Sequence, residues 1–213
     1  MDRPGIALIL GQRFARLVTD VVVRQPRLWR IFRTPFRRQF DQLAPIWEGR
    51  RRPDTLAPFE RGLDALREPP RRVLDLGTGT GVAAFTVARR FSAAEVVGAD
   101  FASAMVDEAR RLTPAELRER VRFEVADAAQ LPFAEGEFDL VTLANMIPFF
   151  DELARVVAPG GAVVIAFSGG SGTPIYVAPD RLRRELARRG FGDFEELPAA
   201  RGVALVARKR ATD

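Results

Sequence analysis

The chain has 213 residues, 47% hydrophobic and 29% charged, a balance that suits a globular protein long enough to bury a core without covalent staples. It holds no cysteine and no histidine. That excludes disulfides, thiolate metal sites, a cysteine nucleophile, a histidine base and every histidine-ligated metal, so no metal site is expected. The net charge of +5 is uneven: residues 1–72 carry 16 arginines against 8 acids, and residues 73–213 carry 17 basic against 20 acidic residues. No apolar run approaches the roughly 20 residues of a membrane span. The apolar stretch 5–11 is too short for a signal-peptide core and lacks a small-residue cleavage site. An intracellular, cytoplasmic protein is expected.

In chain order, Ile6, Leu10, Phe14, Leu17 and Val21 recur at helical spacing, with Gln12, Arg13, Arg16, Thr19 and Asp20 between them, which predicts an amphipathic helix. Pro26 and Pro35 are expected to interrupt the chain beyond that helix. Stretches 36–43 and 54–66 are further helix candidates. Residues 1–70 are taken as a helical cap over the mouth of a second unit, the domain of residues 71–213.

That domain alternates strand and helix signals. Apolar runs at 73–76, 95–99, 121–125, 138–143 and 162–167 read as strands. Helices are expected over 82–91, over 103–112 with Ser103 as the cap, over 114–120 with Pro114 in the first turn, over 151–157, and over 179–189 closed by Gly190. Stretches 194–197 and 203–207 form a terminal strand pair joined by about five residues, too few for a parallel crossover, so the last strand should run antiparallel. The fold class is α/β: a doubly wound, mostly parallel sheet of seven strands. Gly169–Gly172 reads as a flexible loop.

The sharpest motif is Val73–Gly81. An apolar strand ends at Asp75 and Leu76, and Gly77, Gly79 and Gly81 form a Gly-x-Gly-x-Gly turn around Thr78 and Thr80 before a helix. Glycines there let a ligand lie directly on the peptide planes, at the strand ends where open parallel sheets collect ligands. The spacing differs from the dinucleotide Gly-x-Gly-x-x-Gly, and no Gly-Lys-Ser/Thr comes after it, which excludes a P-loop. Asp100 closes the next strand, 25 residues after Asp75, where a carboxylate accepts from both hydroxyls of a ribose. Asp127 and Ala128, after the third strand, are placed to receive an adenine amino group.

Together these segments resemble the class I S-adenosylmethionine-dependent methyltransferase family. Asp75–Gly81 looks like its first motif, Asp100 its ribose-binding acid, Phe101–Met105 its adenine-flanking segment and Ala126–Ala128 its adenine-edge motif. Phe138–Val141, Ala158–Gly161 and Arg189–Phe191 are similar to its later strand and turn segments, so the resemblance spans about residues 71–210. Phe40–Trp47 is similar to the N-terminal Tyr-Asp-x-x-Ala motif of the small-molecule, quinone-biosynthesis branch, with Phe40 replacing the tyrosine. The stretch Leu143–Met146 stands where adenine-base amino methylases carry a different motif, which weighs against that reaction.

The resemblance implies an enzyme using S-adenosyl-L-methionine, with direct in-line methyl transfer to a small-molecule acceptor. It makes Asp75, Gly77, Thr78, Gly79, Gly81, Asp100, Phe101, Met105, Asp127, Ala128 and Asn145 the cofactor-binding candidates. Phe36, Phe40, Trp47, Phe149, Phe150 and Tyr176 are candidates to line the acceptor pocket, since aromatic walls suit planar or apolar molecules. No dedicated general base is expected; Tyr176 is the alternative. Two other partners fit the arginine-rich segment Arg24–Arg38: RNA, with Trp29, Phe32 and Phe36 as stacking residues, and a membrane surface. A non-catalytic partner subunit is the remaining alternative, and the intact glycine loop argues against it.

Overall fold

The computed structural model describes residues 6–50, 52 and 54–211, and the side chains of that set apart from those of 6–10 and 50. Seven strands form one sheet: β1 (Arg72–Leu76), β2 (Glu95–Asp100), β3 (Val121–Val125), β4 (Phe138–Ala144), β5 (Val157–Phe167), β6 (Phe191–Ala199) and β7 (Gly202–Lys209). Their spatial order is β3-β2-β1-β4-β5-β7-β6. The first five run parallel, and β7 is antiparallel to both β5 and β6. The chain therefore reverses its winding beside β1, which pairs with β2 on one side and β4 on the other. Strand ends diverge there, and a crevice opens at their carboxyl ends.

Side chains alternate across the sheet as the two-residue period requires. Leu74, Leu76, Val97, Val141, Leu143, Val163 and Ile165 face one layer, built with α1 (Ile6–Arg24), α6 (Phe150–Val156) and α7 (Pro179–Ala187). Val73, Val96, Leu140, Val164, Ala204 and Val206 face the other, built with α3 (Ala57–Asp64), α4 (Val82–Arg90) and α5 (Ser103–Leu112). Both faces are covered, which is why the central strands read as unbroken apolar runs.

Several boundaries differ from the sequence reading. Pro35 does not break a helix but lies inside α2 (Trp29–Leu43). Its ring is on the exposed side, and the buried Trp29 and Phe36 hold the opposite face, so packing outweighs the roughly 3 kcal/mol that an interior proline costs. On α1 the core-facing residues are Val18, Thr19, Val22 and Val23, and Leu17 is 57% exposed. The expected stripe is thus turned by about one position, and its members Ile6 and Leu10 lie outside the described side chains. Ser103 is the first helical residue of α5 rather than its cap; Ala102 holds the cap position without a side-chain bond, and the Asp100 carboxylate accepts from its N–H at 2.9 Å. Pro114 precedes a single 3-10 turn, Ala115–Leu117, and not a longer helix.

The strands β5 and β6 begin before the predicted 162 and 194. The β6–β7 link is two residues, with Ala200 at φ 49°, so it is a tight hairpin. Gly170–Gly172 forms a 3-10 turn. Arg16 of α1 donates to the carbonyls of Ser171 (2.5 Å) and Thr173 (2.9 Å), which ties that turn to the N-terminal helix.

Candidate active site

The glycine loop grows directly out of β1. Gly77 (φ 65°) and Gly79 (φ 54°) lie in the left-handed region, where a side chain is strained. The N–H groups of Gly77 and Thr78 both donate to the Ala99 carbonyl, at 2.8 and 3.1 Å, binding the loop to the end of β2. Below it, Asp75 is 1% exposed. One of its oxygens accepts from the Thr78 hydroxyl and the other from the Thr142 hydroxyl, each at 2.7 Å. Burial pushes its carboxyl up to about 6, against these two hydrogen bonds.

Asp100 closes β2 on the far side of the loop. Its Oδ2 accepts from the Gly79 N–H at 3.0 Å and its Oδ1 from the Ala102 N–H. Burial again raises its carboxyl to about 6. The ends of β1 and β2 are therefore adjacent, and the second acid already reaches the second glycine. A carboxylate has about four lone-pair sites, so two accepted bonds leave Asp100 room for further donors.

Residues 29–48 run over this ledge. The Trp29 indole donates to Asp127 Oδ1 at 2.8 Å, and the Ala129 N–H donates to the same oxygen at 3.0 Å; Arg33 stands 3.8 Å from Oδ2. Asp41 accepts from the Ala104 N–H at 3.1 Å, and Glu48 accepts from the Thr80 hydroxyl. A Cβ on Gly79 would come 3.6 Å from the Trp47 indole nitrogen, and one on Gly77 would come 2.7 Å from Met146 Cγ. The crevice is thus flanked by flexible side chains rather than sealed by backbone.

The remaining candidates divide. Phe101 is half-buried between Trp29 and Phe40, with ring centroids at 5.4 and 6.0 Å. Ala128 is buried in the layer behind Asp127. Met105 is fully buried in a small cluster with Ala44 and Ala102. Asn145 sits at φ 55°, a conformation asparagine tolerates, and its side-chain oxygen accepts from the Ser168 N–H and hydroxyl.

Phe36, Phe40, Trp47 and Phe149 belong to one chain of edge-on or tilted ring contacts that passes through Trp29 and Phe101. Phe150 packs under the Arg189 guanidinium. Tyr176 stands outside this cluster, against Phe167 at 5.2 Å, and burial raises its phenol above the ordinary value.

The sequence reading did not single out Thr142, Met146 or Glu48. A lone polar residue inside the apolar run Leu140–Leu143 was the available signal for Thr142. Met146 and Glu48 carry no local signal, because only the fold brings them to the glycines.

Residues 73–161 match the family of methyltransferase domains. This segment is similar to that family over somewhat less than half of the chain. It contains the glycine loop, Asp100, Asp127 and Asn145, and the seven-stranded sheet with its antiparallel β7 is the Rossmann-like methyltransferase fold. Among relatives, the demethylmenaquinone methyltransferase of Thermus thermophilus is 49% identical over 108 residues, 47% of this chain and 49% of that protein. The malonyl-[acyl-carrier protein] O-methyltransferase of Halorhodospira halophila is 42% identical over 114 residues, 50% of this chain and 38% of that one. The matched stretch spans about half or less of these relatives' own length. Among solved structures, the Haloferax volcanii methyltransferase complex with the activator Trm112 contains a chain that superposes with a TM-score of 0.67 at 20% identity, covering 83% of this chain and 98% of that one. Among the described residues, no helix of this methyltransferase-fold chain is long and apolar enough to cross a membrane.

Proposed function

We propose that the chain is an S-adenosylmethionine-dependent methyltransferase that transfers a methyl group in line to a small, planar, largely apolar acceptor. The observation that carries this reading is the junction of Gly79 and Asp100: bare backbone and a buried carboxylate meet at 3.0 Å on adjacent strand ends. Such a ledge matches a nucleoside whose ribose hydroxyls donate to a carboxylate. The cradle fits in one respect: a Cβ at Gly77 would come 2.7 Å from Met146 Cγ, so the position takes no side chain of its own, and the ligand's amino-acid end takes the place of the flexible Met146 side chain.

In this reading Asp100 accepts from the ribose. Asp127 accepts from the adenine amino group once the Trp29 indole yields its place, and Phe101 covers the ring. Gly77 and Gly79 lie against the amino-acid end, with the carbonyls of 143–145 near its ammonium group. Asp75, engaged by Thr78 and Thr142, positions the loop rather than reaching the ligand. When bound, S-adenosylmethionine supplies a methyl carbon already activated by its sulfonium.

What remains for the protein is alignment and exclusion of water. The aromatic cluster of Phe36, Phe40, Trp47 and Phe149 suits both tasks, since it can wall an apolar acceptor. The name of the Thermus relative, a demethylmenaquinone methyltransferase, supports an acceptor of quinone type. Tyr176 packs on Phe167 apart from the cluster, and burial keeps its phenol protonated, so it cannot take the acceptor's proton; the acceptor's own acidity serves.

The test is calorimetric titration with S-adenosylhomocysteine, with NAD as control, and then an acceptor screen with labelled methyl donor. Saturable one-to-one binding of the first and none of the second is expected. Absence of S-adenosylhomocysteine binding would sink the proposal.

A further inference from the structure

A cavity of about 540 Å³ lies on the outer side of Trp29, away from the glycine loop, where the corner between α1 and α2 faces α6 and α7. Its lining holds seven guanidiniums against four carboxylates. Each carboxylate is already engaged. Asp127 takes the Trp29 indole, Asp151 takes Arg189, and Glu152 takes Arg155 together with the Leu131 N–H. Glu185 takes both Arg188 and Arg189.

Four arginines remain whose guanidinium groups make no ion pair or hydrogen bond with any described residue. Arg24, Arg27 and Arg30 stand on the α1–α2 corner, and Arg181 stands opposite on α7. Guanidiniums left over on both sides of one concavity repel each other, and low-dielectric walls focus their field. The void is larger than an inorganic phosphate requires and lies within the range of small-molecule pockets. Its inner wall is aromatic and apolar: Trp29, Phe149 and Val23 are all buried.

We infer that this cavity binds a phosphate-bearing organic anion, with the phosphate held between the α1–α2 corner and Arg181, and the organic part against Trp29 and Phe149. Guanidinium groups bind phosphate oxygens in paired, charge-assisted hydrogen bonds. A soluble phosphate ester and the headgroup of an anionic lipid present the same chemistry. The site shares Trp29 and Asp127 with the nucleoside ledge and Phe149 with the proposed acceptor wall, but uses arginines that neither does.

The test is calorimetric titration of the full chain with phenyl phosphate and with inorganic phosphate at matched ionic strength. Phenyl phosphate should bind saturably, and roughly tenfold more tightly than the inorganic ion, because one aromatic face is buried as well. The double variant Arg27→Gln/Arg181→Gln should lose about tenfold or more in affinity for phenyl phosphate. It should keep the wild-type melting temperature and S-adenosylhomocysteine isotherm, so a failure here is separable from failure of the methyltransferase reading. Should that variant melt early, Arg24→Gln alone supplies the comparison, with a smaller loss of phenyl phosphate affinity expected.

The inference is overturned by the absence of saturable phenyl phosphate binding, or by variants that bind it as the wild type does. Flotation with phosphatidylcholine vesicles, with and without phosphatidic acid, identifies the source. Binding to the acidic vesicles that phenyl phosphate displaces, and that the double variant loses, makes the ligand a lipid headgroup; no vesicle binding beside tight phenyl phosphate binding makes it a soluble ester. Vesicle or RNA binding that phenyl phosphate does not displace would overturn the cavity in favour of an exposed basic strip.

Discussion

Residues 72–209 hold their shape through a sheet whose strands satisfy one another's backbone, whereas residues 11–48 are held to that sheet by side chains. The glycine loop is fixed by main-chain bonds to Ala99 and by an acid locked between two hydroxyls. The segment above it is tied by single contacts: the Trp29 indole to Asp127, Asp41 to the Ala104 N–H, Glu48 to Thr80, and a run of aromatic rings. The two regions meet at the same crevice with different rigidity. A ledge built from backbone keeps its geometry when a ligand arrives. A cover built from rotatable side chains can yield, and it occupies groups that the ligand would use. In the proposed enzyme the first region binds and the second encloses.

That contrast can be broken most sharply at Asp100. Its replacement in Asp100→Ala leaves the N–H groups of Gly79 and Ala102 without their acceptor and removes the proposed ribose contact. Affinity for S-adenosylhomocysteine should fall by roughly a hundredfold or more, about 3 kcal/mol, as expected for two charge-assisted hydrogen bonds. A loss under threefold by calorimetry would put the nucleoside elsewhere.

The pH dependence separates the ledge from an ordinary surface site. Asp75 and Asp100 are raised from 3.8 to about 6 by burial. Between these values the folded state holds more protons than the unfolded one. The contribution of these two carboxylates to the stability of the free protein should therefore be fully present below about pH 4 and be lost as pH rises through 6, by up to roughly 3 kcal/mol for each. Arginine-paired acids such as Glu152 contribute in the opposite sense at low pH. Ligand affinity should move the opposite way. A ribose hydroxyl donates to the ionised acid, so binding should weaken about tenfold per unit below pH 6. Melting temperature and calorimetry measured from pH 4.5 to 8 should show these opposed slopes.

The positioning role of Asp75 is sharpened by Asp75→Asn. An amide offers one oxygen where Thr78 and Thr142 donate to two, a loss of about 1 kcal/mol, but it carries no charge, so denaturant unfolding should show stability falling less steeply above pH 6 than in the wild type. Trp29→Phe tests the cover. Removing the indole donor frees Asp127 while keeping an aromatic ring, so stability should drop by about 1 kcal/mol. Affinity for S-adenosylhomocysteine should rise about threefold, since a competitor for the adenine edge is gone. A fall instead would make Trp29 part of the ligand's own wall. The smallest effect is expected at Tyr176→Phe, whose methyl transfer to an acceptor found by screening should stay within about twofold.

The strand-ending acids, the three glycines and the alternation of apolar runs are local patterns, each settled by a few neighbouring residues. By themselves they specify strands alternating with helices, a short link that makes the last strand antiparallel, and a glycine turn after β1; that Gly79 meets Asp100 was decided by the pairing of β1 with β2. Long-range packing decided the rest. Pro35 stays inside a helix because Trp29 and Phe36 bury the opposite face. Leu17 points outward and Val18 and Val22 are buried against the sheet. Asp127 meets an indole 98 residues away. The unpaired arginines close on one cavity only because α7 folds back beside the α1–α2 corner. A pattern of period two or 3.6 fixes which face of an element is apolar. Which element that face meets depends on the shape of the whole core, and the cover, the cavity and the partners of Asp127 all lie at such meetings.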